Sequence, residues 1–261
     1  MQWPVVATRH VMASMHTSLQ RPFRPRRSHG PARWFAPSAA AWPCALLFAC
    51  GLAITASTAR AQAAPTVDTA TLLAELPEGS AIEARLLADV DGDRIADVVF
   101  VGGTAEARKL VLLRGYRSEV DFGYEPALAA ALEPYPLGAP TLSLRKGVLV
   151  VSDLTGGTTA LQATYRYRAE PGTRRMRLIG LDAERYSRTG AHPPLKVGWN
   201  LVTGAYEVRH ARAAPAASDA AWEFLPPART VRRSPPLDLA ATPSAEDLVE
   251  AAPSPAAAAV R

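Results

Sequence analysis

The apolar positions of this chain follow three patterns in turn. An unbroken apolar run fills Cys44 to Ala56. A helical spacing follows, with Leu72, Leu73 and Leu76 on one face, Asp68 placed to cap it, and Pro77 and Gly79 placed to stop it. Beyond Gly79 the period becomes that of strands. Ile82 to Ala88, Ala96 to Val101 and Lys109 to Leu113 are rich in β-branched and aliphatic residues. Thr141 to Leu144 and Val148 to Val151 flank Arg145-Lys146-Gly147, which predicts a hairpin. Thr159 to Arg168 alternates Tyr165 and Tyr167 with Arg166 and Arg168, the pattern of a half-buried antiparallel strand. After a turn at 170–173, Met176, Leu178 and Gly180 alternate with Arg177, Ile179 and Leu181, and a last hairpin runs from Val197 through Thr203-Gly204 to Arg209. The stretch Pro126 to Leu132 (PALAAAL) predicts a second short helix, with proline in the first turn where helices accept it.

Short strands, two short helices and frequent turns predict a mostly-β or α+β domain of antiparallel sheets built from hairpins. The domain is expected over residues 64–212. From Ala213 onward, 16 alanines and 8 prolines in 49 residues predict a largely disordered tail over 213–261. Within it, Ala221 to Leu225 is positioned to dock back on the domain and Ala228 to Leu239 to add a final extended segment.

Charge changes the picture of the first part. Seven of the 29 basic residues precede Asp68, whereas all 24 acidic residues lie at or after it. The basic pI therefore belongs to the leader, and the remainder is slightly acidic. That balance excludes nucleic-acid binding by phosphate neutralisation. Arginines up to Arg33, the apolar run, and Ala59-Arg60-Ala61-Gln62-Ala63 predict an export signal over residues 1–63, cut after Ala61 or Ala63. Periplasmic or secreted bacterial localisation is the expectation. Membrane contact would follow only if the leader were kept, or if Cys50, which ends the lipoprotein-like Leu47-Phe48-Ala49-Cys50, were lipidated. Both cysteines, Cys44 and Cys50, lie in the leader, so the domain must hold without disulfides.

One segment carries specific chemistry. Asp89, Asp91, Asp93 and Asp97 occupy positions one, three, five and nine of a loop, and the Ile95 carbonyl stands at seven. Calcium takes six to eight oxygen ligands, and a curled segment aims alternate residues inward. Carboxylates gathered without a cation repel one another, so the alternative is an acidic turn that stays fully hydrated.

Strand, D-x-D-G-D-x-x-x-D loop and apolar strand, from Leu86 to Val101, resemble the calcium loops of FG-GAP and VCBS repeats, the units of integrin-alpha-like propellers. The resemblance implies side-chain ligation by Asp89, Asp91, Asp93 and Asp97 and a structural role for the ion. Arg94 replaces the usual glycine of the sixth position, where the backbone curls, and Phe100 replaces the glutamate an EF-hand would place at the twelfth. One loop cannot make a full propeller, which needs at least four blades. The order of loop, K-L-V-L-L-R strand, K-G-V-L-V-V-S hairpin and T-Y-R-Y-R strand also resembles a group of uncharacterised bacterial envelope proteins.

Other chemistry is sparse. His192 and His210 are the histidines of the domain, and neither sits in a recognisable nucleophile, phosphate-binding or zinc motif. The glycine turns at Val101 to Thr104 and Asp153 to Gly157 lack the downstream residues of a phosphate cradle. Alternation among Arg166, Arg168, Arg174, Arg175 and Arg177 places several guanidinium groups on one sheet face, suited to an anionic glycan or an envelope lipid headgroup, or else solvated and balanced by Glu170, Asp182 and Glu184. The expectation is a non-catalytic exported domain with one structural calcium loop; a periplasmic hydrolase using His192 or the loop carboxylates, and a lipidated envelope protein, are the alternatives.

Overall fold

The structure is a computed structural model, and it describes residues 67–254 apart from residue 217. The leader with its two cysteines, and residues 255–261, lie outside the described residues. The expected first helix is α1 (Thr69–Leu73), where Asp68 accepts the Thr71 amide at 2.7 Å. The strands that follow are β1 (Ala81–Ala88), β2 (Asp97–Gly103), β3 (Arg108–Leu113), the short hairpin β4 (Gly115–Arg117) and β5 (Phe122–Tyr124), and β6 (Leu128–Leu132). A four-stranded antiparallel sheet runs in the order β1-β2-β3-β6. Every residue of β2 is buried. Val98 and Phe100 face a small core with Leu72 and Leu76, while Val99 and Val101 face the main core. A strand covered on both faces needs no polar alternation, which is why this segment reads as continuous apolar sequence.

The helix expected over Pro126 to Leu132 is instead β6, paired along β3 from Leu112↔Leu128 to Arg108↔Leu132. Alanine's helix preference is worth only tenths of a kcal/mol per residue over most others. Pairing with β3 satisfies the backbone, and the small side chains fit two packed layers: Ala130 and Leu132 join the main core, Ala127 and Ala129 pack on the small one.

The second sheet is a meander of β7 (Thr141–Arg145), β8 (Val148–Gly156), β9 (Thr159–Ala169), β10 (Met176–Ser187), β11 (Leu195–Asn200) and β12 (Ala205–Ala213), all antiparallel and paired in chain order. Lys146 and Gly147 close β7 to β8 with positive φ at both positions (51° and 71°), the requirement of a two-residue hairpin turn. In β9, Tyr165 and Tyr167 point inward as the alternation predicts. In β10 the predicted alternation breaks: the register with β9 shifts between Leu178 and Gly180, so Leu178 and Leu181 both enter the core. One extra residue at a bulge reverses the phase of every side chain beyond it.

Residues 213–254, expected to be largely disordered, build further structure. β13 (Trp222–Phe224) and β14 (Ala228–Val231) both pair with β12, β15 (Leu237–Asp238) pairs with β10, and a 3-10 turn leads to α2 (Ala245–Glu250). Composition averages over this segment conceal that Leu239, Ala245, Leu248 and Val249 recur where they can be buried. They lie in the same core as the inner faces of both sheets. Among the described residues the architecture is therefore mostly β, two packed antiparallel sheets with two short helices, and no closed barrel or propeller. No described helix is long and apolar enough to cross a membrane.

Candidate metal centre

The acidic loop joins β1 to β2, which pair from Ala81↔Gly103 to Ala88↔Asp97. It curls through Gly92 (φ 87°) and Arg94 (φ 69°). Arg94 thus adopts the left-handed conformation that the resemblance assigns to glycine. Local hydrogen bonds hold the curl: Asp89 accepts the amides of Gly92 (2.6 Å) and Arg94 (2.9 Å), Asp91 that of Asp93 (3.2 Å), and Asp93 that of Ile95 (2.7 Å). Aspartate favours such turns because its short carboxylate reaches the backbone two or more residues on.

Asp97 has a different place. It is wholly buried at the first residue of β2, where Oδ2 accepts the Val90 amide (2.8 Å) and Oδ1 the Gly115 amide (3.0 Å). One carboxylate thereby ties the loop to the entry of the β4–β5 hairpin. Gly115 has no room for a side chain; an added Cβ would stand 2.6 Å from the Ala96 carbonyl oxygen and 2.7 Å from Ile95 Cγ2. Burial first, and then the charges of Asp91 and Asp93, raise the Asp97 carboxyl to about 6 against the pull of its two amides. Asp93 is also raised, by desolvation first and then by the neighbouring charges of Asp91 and Asp89, against the Ile95 amide bond.

Of the five predicted ligands, Asp89, Asp91 and Asp97 bring one carboxylate oxygen each within 4.8 Å of one another. Asp93 is not in this group, its Oδ1 being turned to the Ile95 amide. Ile95 stands at the seventh position with its side chain against Gly115.

Sequence reading missed a residue that borders the site. Arg114, the residue between β3 and β4, has a side chain only 6% exposed and its Nε lies 3.7 Å from Asp91 Oδ2. Its Nε and Nη2 have no hydrogen-bond partner. A buried guanidinium without full hydrogen bonding is costly, so its place beside Asp91 is electrostatic. The pattern K-L-V-L-L-R gave no sign of this, because an arginine ending a strand is ordinarily solvated.

The donor set suits a hard cation: three converging carboxylates from a nine-residue span, none of them a soft ligand. The histidines do not join it. His192 Nε2 lies 3.0 Å from Thr159 Oγ1 and its Nδ1 3.1 Å from the Pro193 carbonyl, while His210 Nε2 lies 2.9 Å from the Pro253 carbonyl. The glycine pair at 102 and 103 serves packing: a Cβ on Gly102 would stand 2.6 Å from the Ala81 carbonyl and one on Gly103 would stand 2.1 Å from that of Ala107. No protein-family model, curated protein or solved structure matches the chain.

Proposed function

We propose that this chain is an exported, non-catalytic β-domain braced by one structural calcium ion, which binds or scaffolds a component of the bacterial cell envelope. Export rests on the leader pattern, and the ion on the loop. The observation that carries the metal reading is the convergence of Asp89, Asp91 and Asp97 within 4.8 Å, one of them wholly buried at the start of β2. Three like charges so close are mutually repulsive, and a divalent cation converts that repulsion into attraction. Asp97 also holds the Gly115 amide, so an ion on it would clamp the β1–β2 loop to the β4–β5 hairpin. Asp89, Asp91 and Asp97 would hold the ion, with Asp93 and the Ile95 carbonyl as the further oxygens the spacing offers. Its contribution is charge neutralisation and bracing.

The test is a calcium titration of the purified full-length chain by calorimetry and thermal melting. At a hundredfold excess over Kd, binding to the folded state alone adds about 2.7 kcal/mol, a rise of roughly 5 to 10 °C for a domain of this size. The Asp89→Asn/Asp91→Asn variant is expected to lose both the heat and the rise. Absence of heat in the unaltered chain overturns the metal reading.

A further inference from the structure

We propose a second site, on the outer face of the nine-stranded sheet, that takes a short acidic oligosaccharide of the uronate type. It names a partner for the binding module proposed above, yet shares no residue with the acidic loop. The face carries a trough of about 940 Å³ running across β9, β10, β11, β12 and β14.

Glycine makes the trough. Gly180 on β10 and Gly198 on β11 present bare backbone to the outer face at its centre. The bulge at Ile179 is what turns Gly180 outward. Lacking a Cβ, the two positions let Arg166 and Asp182 settle onto the sheet: an added Cβ at Gly180 would touch Arg166 Cδ and Nη1 at 3.6 Å, and one at Gly198 would meet Asp182 Oδ1 at 3.2 Å. Arg166 and Asp182 pair at 2.7 Å, so the ion pair forms the bed of the trough.

Charge selects the occupant. Five cations and three carboxylates line the trough. Each carboxylate has its own cation: Asp182 with Arg166, Glu184 with Lys196 (3.0 Å), and Glu207 with Arg229 (2.9 Å). Arg168 has no acidic partner among the described residues. At the edge of the trough it stands directly opposite Arg177 of β10, whose neighbour on the other side is Asp238 of β15; Arg177 makes no ion pair among the described residues, and its Nε is buried without a hydrogen bond. Like charges directly opposite across a ladder are destabilising, and a carboxylate bridging the pair removes the penalty.

The rest of the lining fits hydroxyls. Asn200 fixes its Oδ1 on the amides of Val202 and Thr203, both at 3.0 Å, which leaves its NH2 to donate. Gln162 gives Nε2 to the Asp153 carbonyl at 2.9 Å, which leaves its oxygen to accept. Three carboxylates on the wall oppose a densely charged nucleic acid, whereas they accept hydrogen bonds from sugar hydroxyls. In the ladder Arg168 stands opposite Arg177 and Arg209 opposite Lys196, which faces Glu184, so the two arginines lie three strands and six residues apart, about 24 Å, and a three-ring chain starting at the Arg168 end covers only part of the trough.

Trigalacturonate, galactotriose, anionic phospholipid vesicles and a short single-stranded DNA, each titrated into the full-length chain, test this. Trigalacturonate is expected to bind at least tenfold more tightly than galactotriose and than either of the other anions. Arg168→Gln/Arg177→Gln should weaken it at least tenfold while leaving the melting temperature unchanged or raised, since the like-charge pair is gone. Gly198→Val, which fills the bed and alters no charge, should weaken it similarly. No binding of trigalacturonate, equal binding by the arginine variant, or preference for vesicles or DNA overturns the proposal. A preserved calcium response in the same sample shows that such a failure is separate from that of the metal reading.

Discussion

Arg108 of β3 donates through Nη1 and Nη2 to the two oxygens of Asp153 on β8, at 2.8 and 3.1 Å, and so joins the two sheets through a guanidinium with no exposed side-chain surface. The same group binds both oxygens of Glu83 on β1 and donates to the Glu133 carbonyl at 2.7 Å. Burial works against its charge, but the hydrogen bonds and charges of Glu83 and Asp153 outweigh that and hold it firmly protonated. Without a disulfide among the described residues, this is the polar fastening at the centre of the sandwich.

Arg108→Met is therefore expected to cost about 3 to 5 kcal/mol, because it strands Asp153 and Glu83 rather than removing the whole network. Urea unfolding should show a lower midpoint at an unchanged slope. A cost below about 1 kcal/mol would mean that the network is not a net fastening.

Arg114 competes with an ion at the acidic loop. Its charge, 3.7 Å from Asp91, already neutralises part of the cluster and would repel a bound cation. Two unit charges about 5 Å apart interact by roughly 3 kcal/mol at an effective dielectric near 20. Arg114→Met should lower the melting temperature in chelator and tighten calcium binding by tenfold or more. Calorimetry showing weaker binding would mean that Arg114 positions ligands instead.

The backbone at Arg94 is left-handed, with φ at 69°. Glycine at this position keeps the same curl and every loop carboxylate, so relief of the strain bears on folding. A left-handed non-glycine residue costs about 1 to 2 kcal/mol, and glycine gives back roughly half of that through unfolded-state entropy. Arg94→Gly is expected to raise stability by about 0.5 to 1 kcal/mol and to leave the calcium Kd within about twofold. The pair of measurements, melting and calorimetry, separates the two quantities.

Asp97 gives the metal-free protein a pH dependence. Its folded-state carboxyl titrates near 6, above the unfolded value of 3.8, so between those values the folded state binds the extra proton. Stability linked to this group is present at low pH and is lost as pH rises through about 6. In chelator the melting temperature should fall from pH 5 to pH 7 by its contribution. Calcium requires the carboxylate, so its stabilising effect should grow over the same interval, with proton release on binding.

The sheets were legible because alternation survives wherever one face is wet. Tyr165, Tyr167 and the Lys146-Gly147 turn declare β9 and the hairpin before it. The curl of the acidic loop was legible because aspartates at alternate positions favour turns, whereas the turning of Asp93 away from the other three was not. Two features were hidden. PALAAAL has helical composition and becomes a strand because its neighbour β3 needs a partner and its small side chains suit two cores. Arg114 and Arg108 end or begin strands as any solvated arginine does; only the third dimension places carboxylates beside them.

The segment that closes the core bears on how the chain folds. Glu133 Oε1 accepts from Ser244 Oγ at 2.8 Å and from the amides of Ala245 and Glu246 at 2.7 and 3.2 Å, and Tyr167 meets Thr242 at 3.0 Å. The meander can zip up neighbour by neighbour, each strand finding the one just made. The latch at Glu133 joins positions more than a hundred residues apart, so its closure waits on the slowest step of loop search. A folding chain would hold its sheets before this closing segment, with the places later filled by Leu248 and Val249 briefly uncovered.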